Sequence, residues 1–161
     1  MIHPIVRYGA PGLQKPALGV EVFDEALHTL LRDMLETMYA APGIGLAAPQ
    51  IGVALRVAVI DLSVGKRGGE VIELINPEFV EREGMQFEEE GCLSIPGIQA
   101  TVARPARAVV RAQDRDGKAF TIEGTGLLAR ALQHELDHLD GRLFVDRMRS
   151  LPRDIILRKI R

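Results

Sequence analysis

The stretch Gln133-His134-Glu135-Leu136-Asp137-His138-Leu139 decides how the rest of the chain is read. It contains an H-E-x-x-H pattern. On an α-helix, positions i and i+4 lie one turn apart on the same face, so two imidazoles can reach one divalent metal ion. The glutamate beside the first histidine can then reach a water at that ion as a general base. The flanking residues predict the helix itself, from about Thr125, a candidate N-cap, to Leu139, with Gly141 as the stop. Leu127 and Ala131 continue the stripe of His134 and His138, and Leu128, Leu132 and Leu139 flank it. The histidines are therefore expected to face the core, where a polar group without a partner is costly. A merely solvated, charged helix would not carry that stripe.

Two imidazoles need a third protein ligand. A third histidine in the extended pattern H-E-x-x-H-x-x-G-x-x-H would fall at position 144, which is Phe144. Downstream of His138 the acidic residues are Asp140, Asp146 and Asp154, and Asp140 is too close in sequence to be a natural third ligand. The remaining soft ligand is Cys92, the single cysteine, in Glu90-Gly91-Cys92-Leu93-Ser94-Ile95-Pro96. A thiolate with two imidazoles leaves one coordination position open for water or substrate. A free cysteine is by default a small buried hydrophobe; the helix's need for a third ligand argues against that here. Further upstream, Gly43–Gly52 is glycine-rich and apolar. It lacks the Lys-Ser/Thr of a phosphate loop and the preceding strand of a dinucleotide fingerprint. Gln50 is its one polar side chain, and if buried it requires a specific partner.

Around these segments the pattern is α+β: mostly antiparallel strands about a central H-E-x-x-H helix, with one helix near each end. Phe23, Leu27, Leu30, Leu31, Met34 and Met38 predict a helix from about Val22 to Ala40, stopped by Pro42-Gly43. Residues 1–20 are rich in Pro and Gly and read as an irregular arm. Residues 54–61 and 71–76 are β-branched apolar runs expected as strands, with a loop tip at 66–69 between them. Residues 78–90 look extended and acidic, and most of that charge is expected on a solvated edge. Thr101–Gln113 reads as one strand, turning at Asp116-Gly117 into Ala119–Ile122. His28 lies beside the first helix's apolar face with no partner ligands nearby in sequence. The tail holds a short apolar run, Leu143–Val145, and a basic helix candidate after Pro152.

The chain has 161 residues, enough for one domain with a sizeable core, and residues 1–161 are expected to form a single domain. A net charge of −2 and a pI near 6.1 argue against a broad electrostatic grip on nucleic acid or membrane. Five Phe, two Tyr and no Trp argue against a base-stacking platform, so no DNA partner is expected. A single cysteine excludes an internal disulfide. No signal peptide is visible at the start, and no apolar run approaches the ~20 residues of a membrane helix. A reduced, cytoplasmic protein with no membrane contact is the expectation.

Three segments taken in order, Gly43–Gly52, Glu90–Pro96 and Gln133–His138, resemble the peptide deformylases, which carry GxGLAAPQ, EGCLS and QHExDHLxG. The resemblance implies hydrolysis of the formyl group from N-formylmethionyl nascent peptides of bacterial or organellar type. It implies one divalent ion per chain, usually Fe2+, with Zn2+, Ni2+ or Co2+ able to substitute, held by Cys92, His134 and His138. Glu135 would be general base and then acid. Gln50, through its side-chain amide, and Leu93, through its backbone N–H, would face the oxyanion. The nascent peptide would lie extended against Ile44-Gly45 and the Glu89–Gly91 edge. Ile44, Leu127, Ala131 and the ring of His134 would wall the methionine pocket, with the charged ends of Glu88 and Arg130 in solvent or paired at the rim. Glu90 is expected to pair with Arg104 and hold the cysteine-bearing strand. The basic tail would either touch ribosomal RNA or be a solvated amphipathic helix. Two other readings of the same residues are a broader metallo-amidase or peptidase and a protein in which the metal only staples a core. A staple would need neither Glu135 nor Gln50.

Overall fold

In the computed structural model, which describes residues 1–7, 13, 15–66 and 70–142, the stripe Leu27, Leu31, Met34 and Met38 is the buried face of helix α1 (Glu25–Ala40). The helix starts three residues later than its apolar spacing suggests. Asp24 ends the extended arm and its side chain accepts the Leu27 N–H at 3.2 Å, so it takes the N-cap. The strands follow as β1 (Gly45–Ala47), β2 (Val57–Ile60), β3 (Ile72–Glu83), β4 (Gln86–Cys92), β5 (Ile95–Arg104), β6 (Arg107–Gln113) and β7 (Ala119–Thr125). A short 3-10 turn, Ala48–Ile51, follows β1, and helix α2 spans Gly126–Leu139.

These strands pair antiparallel, and one isolated parallel bridge joins Leu18 to Leu55. One sheet has the order β1-β2-β3-β6-β7, and β4 and β5 form a separate two-stranded ribbon. Strand β2 is buried throughout, and its period of two divides the core. Ala58 and Ile60 pack with Ala131, Leu132, Leu136 and Leu139 of α2, whereas Val57 and Val59 pack with Leu31, Met34 and Met38 of α1. A sheet covered on both faces explains why this strand is continuously apolar rather than alternating. It also fixes α2 against the sheet, which places the two histidines.

Several strand boundaries differ from the sequence reading for local reasons. Pro77 does not end a strand: β3 runs through it with a register shift between Ile75 and Glu78. Asn76 sits there with φ +52°, accepts the Val20 N–H at 2.7 Å, and donates to Val20 O and to Gln113 Oε1. This is a bulge that also ties down the arm. The run Thr101–Gln113 is two strands, broken at Pro105-Ala106. Pro105 has no N–H for a ladder, and its carbonyl accepts from Gln86 and from Gln133 of α2. Thr125 occupies the N-cap position of α2, but its side chain makes no cap hydrogen bond. Gly141, with φ +79°, lies just past the end of α2 as expected. The loop tip at 67–69, the run Leu143–Val145 and the basic helix expected after Pro152 lie outside the described residues. Among the described residues, no helix is long and apolar enough to cross a membrane.

Candidate metal centre and active site

Three elements converge on one point. The end of β4 delivers Cys92, α2 delivers His134 and His138 one turn apart, and one ligand atom from each lies within 4.8 Å of the others. Cys92 Sγ is 3.2 Å from His138 Nε2, and the two imidazole rings stand edge to face with centroids 5.0 Å apart. Cys92 is offered by a change of register. β4 and β5 pair regularly up to Gly91, then shift so that Cys92 faces Ile95 across the two-residue turn Leu93-Ser94.

The donor set fits a divalent ion. A soft sulfur and two imidazole nitrogens suit several first-row metals, and a set of three leaves a position open. The outward nitrogen of His134, Nδ1, is 2.9 Å from Glu90 Oε1, the carboxylate contact that orients a ligating imidazole. Burial holds His138 well below the usual histidine range, in the neutral form a ligand needs. Burial also acts to lower His134, yet its contacts with Cys92 and Glu90 outweigh that and raise it well above the usual range. A cation bound there would displace that proton.

Glu90 is the centre of a buried ionic cluster. It accepts two hydrogen bonds from Arg104, at 2.5 and 2.8 Å, and one from Arg130 at 2.8 Å, while Arg104 also reaches Asp137 at 2.8 Å. Burial acts to raise the Glu90 carboxyl, but the hydrogen bonds from His134 and Arg104 prevail and lower it to about 2. The expected Glu90–Arg104 pair is present. Arg130 departs from expectation: it does not reach solvent or the rim but is 4% exposed, and it also donates to Glu88 O. Arg130 lies four residues before His134 and Asp137 three after it, so both share the histidine's face of α2. The periodicity that placed the two histidines was the signal that would have placed Arg130 and Asp137.

Glu135 is buried, and its Oε1 has no hydrogen-bond partner among the described residues. Its carboxylate lies against β1: a Cβ on Gly45 would stand 2.8 Å from Oε2 and 3.1 Å from Cδ. Burial raises this carboxyl to about 7, where a group can both take and return a proton. Gln50 is 1% exposed and has the partners its burial demands. Oε1 accepts the Ala47 N–H at 2.9 Å, and Nε2 is 3.2 Å from Ser94 Oγ and 3.6 Å from Cys92 Sγ. Ser94 was not singled out by its sequence, since its partner lies 44 residues away.

A cavity of about 1000 Å³ opens over these groups. Ile44, Gly45, Gln50, Gly91, Cys92, Leu93, Leu127, Ala131, His134 and Glu135 all line it, whereas His138 is buried behind. Leu127 is 54% exposed, so the first turn of α2 is at the lip rather than in the core that its stripe suggested. The N-terminal arm adds Ile2, His3, Ile5 and Arg7 to the lining, and the Val6 N–H donates to Gln50 O at 2.7 Å. His28 lies away from the cavity and contacts Arg115 O at 3.0 Å.

The family model for polypeptide deformylases matches residues 2–154. A peptide deformylase of Acidobacterium capsulatum is 56% identical over the whole chain and 95% of that protein. Among solved structures, the peptide deformylase of Legionella pneumophila superposes with a TM-score of 0.94 at 51% identity, covering 99% of this chain and 94% of that one. The Synechococcus elongatus peptide deformylase, solved in complex with actinonin, gives 0.93 at 40% identity over 99% of this chain and 89% of its own.

Proposed function

Since the chain belongs to the polypeptide deformylase family, enzymes that remove the N-terminal formyl group from nascent peptides, we propose that it does so with one divalent metal ion held by Cys92, His134 and His138. The observation that carries this reading is the convergence of the three donor atoms within 4.8 Å, beside a buried carboxyl with one oxygen unpartnered among the described residues. The whole chain acts as one catalytic domain in the cytoplasm, where new chains emerge. Fe2+ is the ion in the cell, and Zn2+, Ni2+ or Co2+ can replace it.

When bound, such an ion supplies Lewis acidity to a carbonyl oxygen and makes water more acidic. The chain's own groups do the rest. Glu135 takes a proton from the attacking water and returns it to the departing amine nitrogen. The formyl C–N bond breaks as a C–O bond forms, and the products are formate and a free α-amino group. Gln50 Nε2 and the Leu93 N–H donate to the formyl oxygen as negative charge builds on it, a role suited to donors held in place beforehand. The substrate backbone lies extended along Ile44-Gly45 and Gly91, an added strand beside the ribbon. Ile44, Leu127, Ala131 and the His134 ring receive the methionine side chain. The basic tail provides the transient ribosome contact.

Anaerobic hydrolysis of formyl-Met, acetyl-Met and unblocked peptides by the wild type and Glu135→Ala tests this reading. Formate release from the formyl substrate alone, abolished in the variant, is expected. Cleavage of internal peptide bonds, or full activity in the variant, would overturn it.

A further inference from the structure

The amide of Gln50 has a single orientation because the Ala47 N–H can only donate. With Oε1 on the Ala47 N–H, the two Nε2 hydrogens face Ser94 Oγ, 3.2 Å away, and the cysteine sulfur, 3.6 Å away. A flipped amide would set its NH2 against the Ala47 N–H and its carbonyl against the sulfur. Ser94 is itself 1% exposed and sits on the turn that follows the ligand. Its backbone N–H donates to Cys92 Sγ at 3.4 Å, so the hydroxyl's place is set by the ligand it follows.

The geometry points to Ser94 as a positioning residue whose hydroxyl oxygen aims the Gln50 amide at the reacting carbonyl. This rests on the reading of Gln50 as a donor to the formyl oxygen. A donor stabilises a transition state best when its direction is set before the charge appears. One Nε2 hydrogen held by Ser94 Oγ leaves the other with a defined direction, on the sulfur side of the amide and toward the cavity that Gln50 lines. Without the hydroxyl, the amide keeps the Ala47 contact at Oε1 but its NH2 end keeps only the longer contact to Cys92 Sγ, and its direction is less firmly set. The N–H···S contact belongs to the backbone, so Ser94→Ala deletes the hydroxyl and leaves the ligand sulfur as it is.

The test is a double-mutant cycle of Ser94→Ala and Gln50→Ala in zinc-loaded protein, read by kcat, KM, metal content and the Gln50 side-chain amide signals in 15N–1H spectra. Those signals are identified by their absence in Gln50→Ala. Gln50→Ala is expected to lower kcat about 100-fold, as loss of one such donor does. Ser94→Ala is expected to lower kcat about tenfold with KM and metal content unchanged, as for an interaction realised in the transition state. It should also shift or broaden the Gln50 amide signals, and in the Gln50→Ala background change kcat by less than about twofold. Ser94→Thr, which keeps the hydroxyl, should hold the signals and kcat near the wild type. Additive losses in the cycle, or unmoved amide signals in Ser94→Ala, would overturn the inference while leaving Gln50 as a donor. A wild-type kcat in Gln50→Ala would overturn the donor reading itself, and the role of Ser94 with it.

Discussion

Gly45 shows how a single missing side chain shapes the site. The Glu135 carboxylate occupies the space a Cβ would take, and its Cδ and Cγ would also be crowded, at 3.1 and 3.3 Å. Because Glu135 is buried, Gly45→Ala must push the whole carboxyl aside. Kinetics of the variant should show a fall in kcat of about 10²-fold, the scale of a small misplacement of a reacting group, with metal content retained. An unchanged kcat would show that Glu135 does not need its present seat. Asp61 gives a second prediction at this scale, in stability. Its Oδ1 accepts from Ser63 Oγ and N–H, and its Oδ2 from the Tyr39 hydroxyl and the Gly65 N–H. Those hydrogen bonds, Ser63's foremost, lower the carboxyl from 3.8 to about 2. A depressed carboxyl stabilises the fold above its unfolded value and ceases to do so as pH falls through the folded one. Asp61 thus stabilises the fold at neutral pH. Urea unfolding should find Asp61→Asn further below the wild type at about pH 7 than at about pH 3. An equal gap at both would contradict the assignment. Residue by residue, the sequence was most legible where a chemical type had few alternatives. Cys92 was the only thiol, whereas the Glu90–Arg104 pair was expected only through the family resemblance. Ser94 was illegible because its amide partner Gln50 comes from another element. Of Asp61's partners only Tyr39, on α1, is remote, the others being the turn residues Ser63 and Gly65.

At the scale of elements, the ribbon β4–β5 and helix α2 are joined by a buried ionic network. Glu90 on β4, Arg104 on β5, and Arg130, His134 and Asp137 on α2 form one buried network. Arg104→Ala leaves the Glu90 and Asp137 carboxylates buried without that guanidinium. Breaking such a pair from one side is expected to cost about 3–5 kcal/mol in denaturant unfolding. Loosening the carboxylate behind His134 should weaken metal binding about 10–100-fold in a competition titration. Unchanged metal affinity would show that the ribbon holds Cys92 without this support. The two helices were readable because a 3.6-residue stripe and a stop are local signals. The strands were readable as runs but not in their limits. Pro77 looks like an end and is a bulge, because Asn76 adopts φ +52° and hands its side chain to Val20 and Gln113. Pro105 looks like the interior of a run and is a corner, because Gln86 and Gln133 take up its carbonyl. In both cases the deciding partner is remote in sequence, which no local pattern contains.

Across the whole molecule, a strand buried on both faces fixes the helix that carries two ligands, and a separate ribbon swings in the third. The order of the three motifs along the chain was enough to bring the family into view, and the described residues gather them around one cavity. The sequence could not show that the N-terminal arm lines that cavity, since the arm has no periodicity and is held by Asn76 and by the Gln50 carbonyl. The central claim is that three side chains hold one ion on which deformylation depends. Its most direct test is an anaerobic titration of chelator-stripped protein with Fe2+ or Zn2+, following formate release from a formyl-Met peptide for the wild type and Cys92→Ala. Activity absent from the stripped protein, rising to a plateau at one ion per chain and not restored in Cys92→Ala, is the predicted result. Full activity after stripping, or full recovery in Cys92→Ala at one ion per chain, would contradict it.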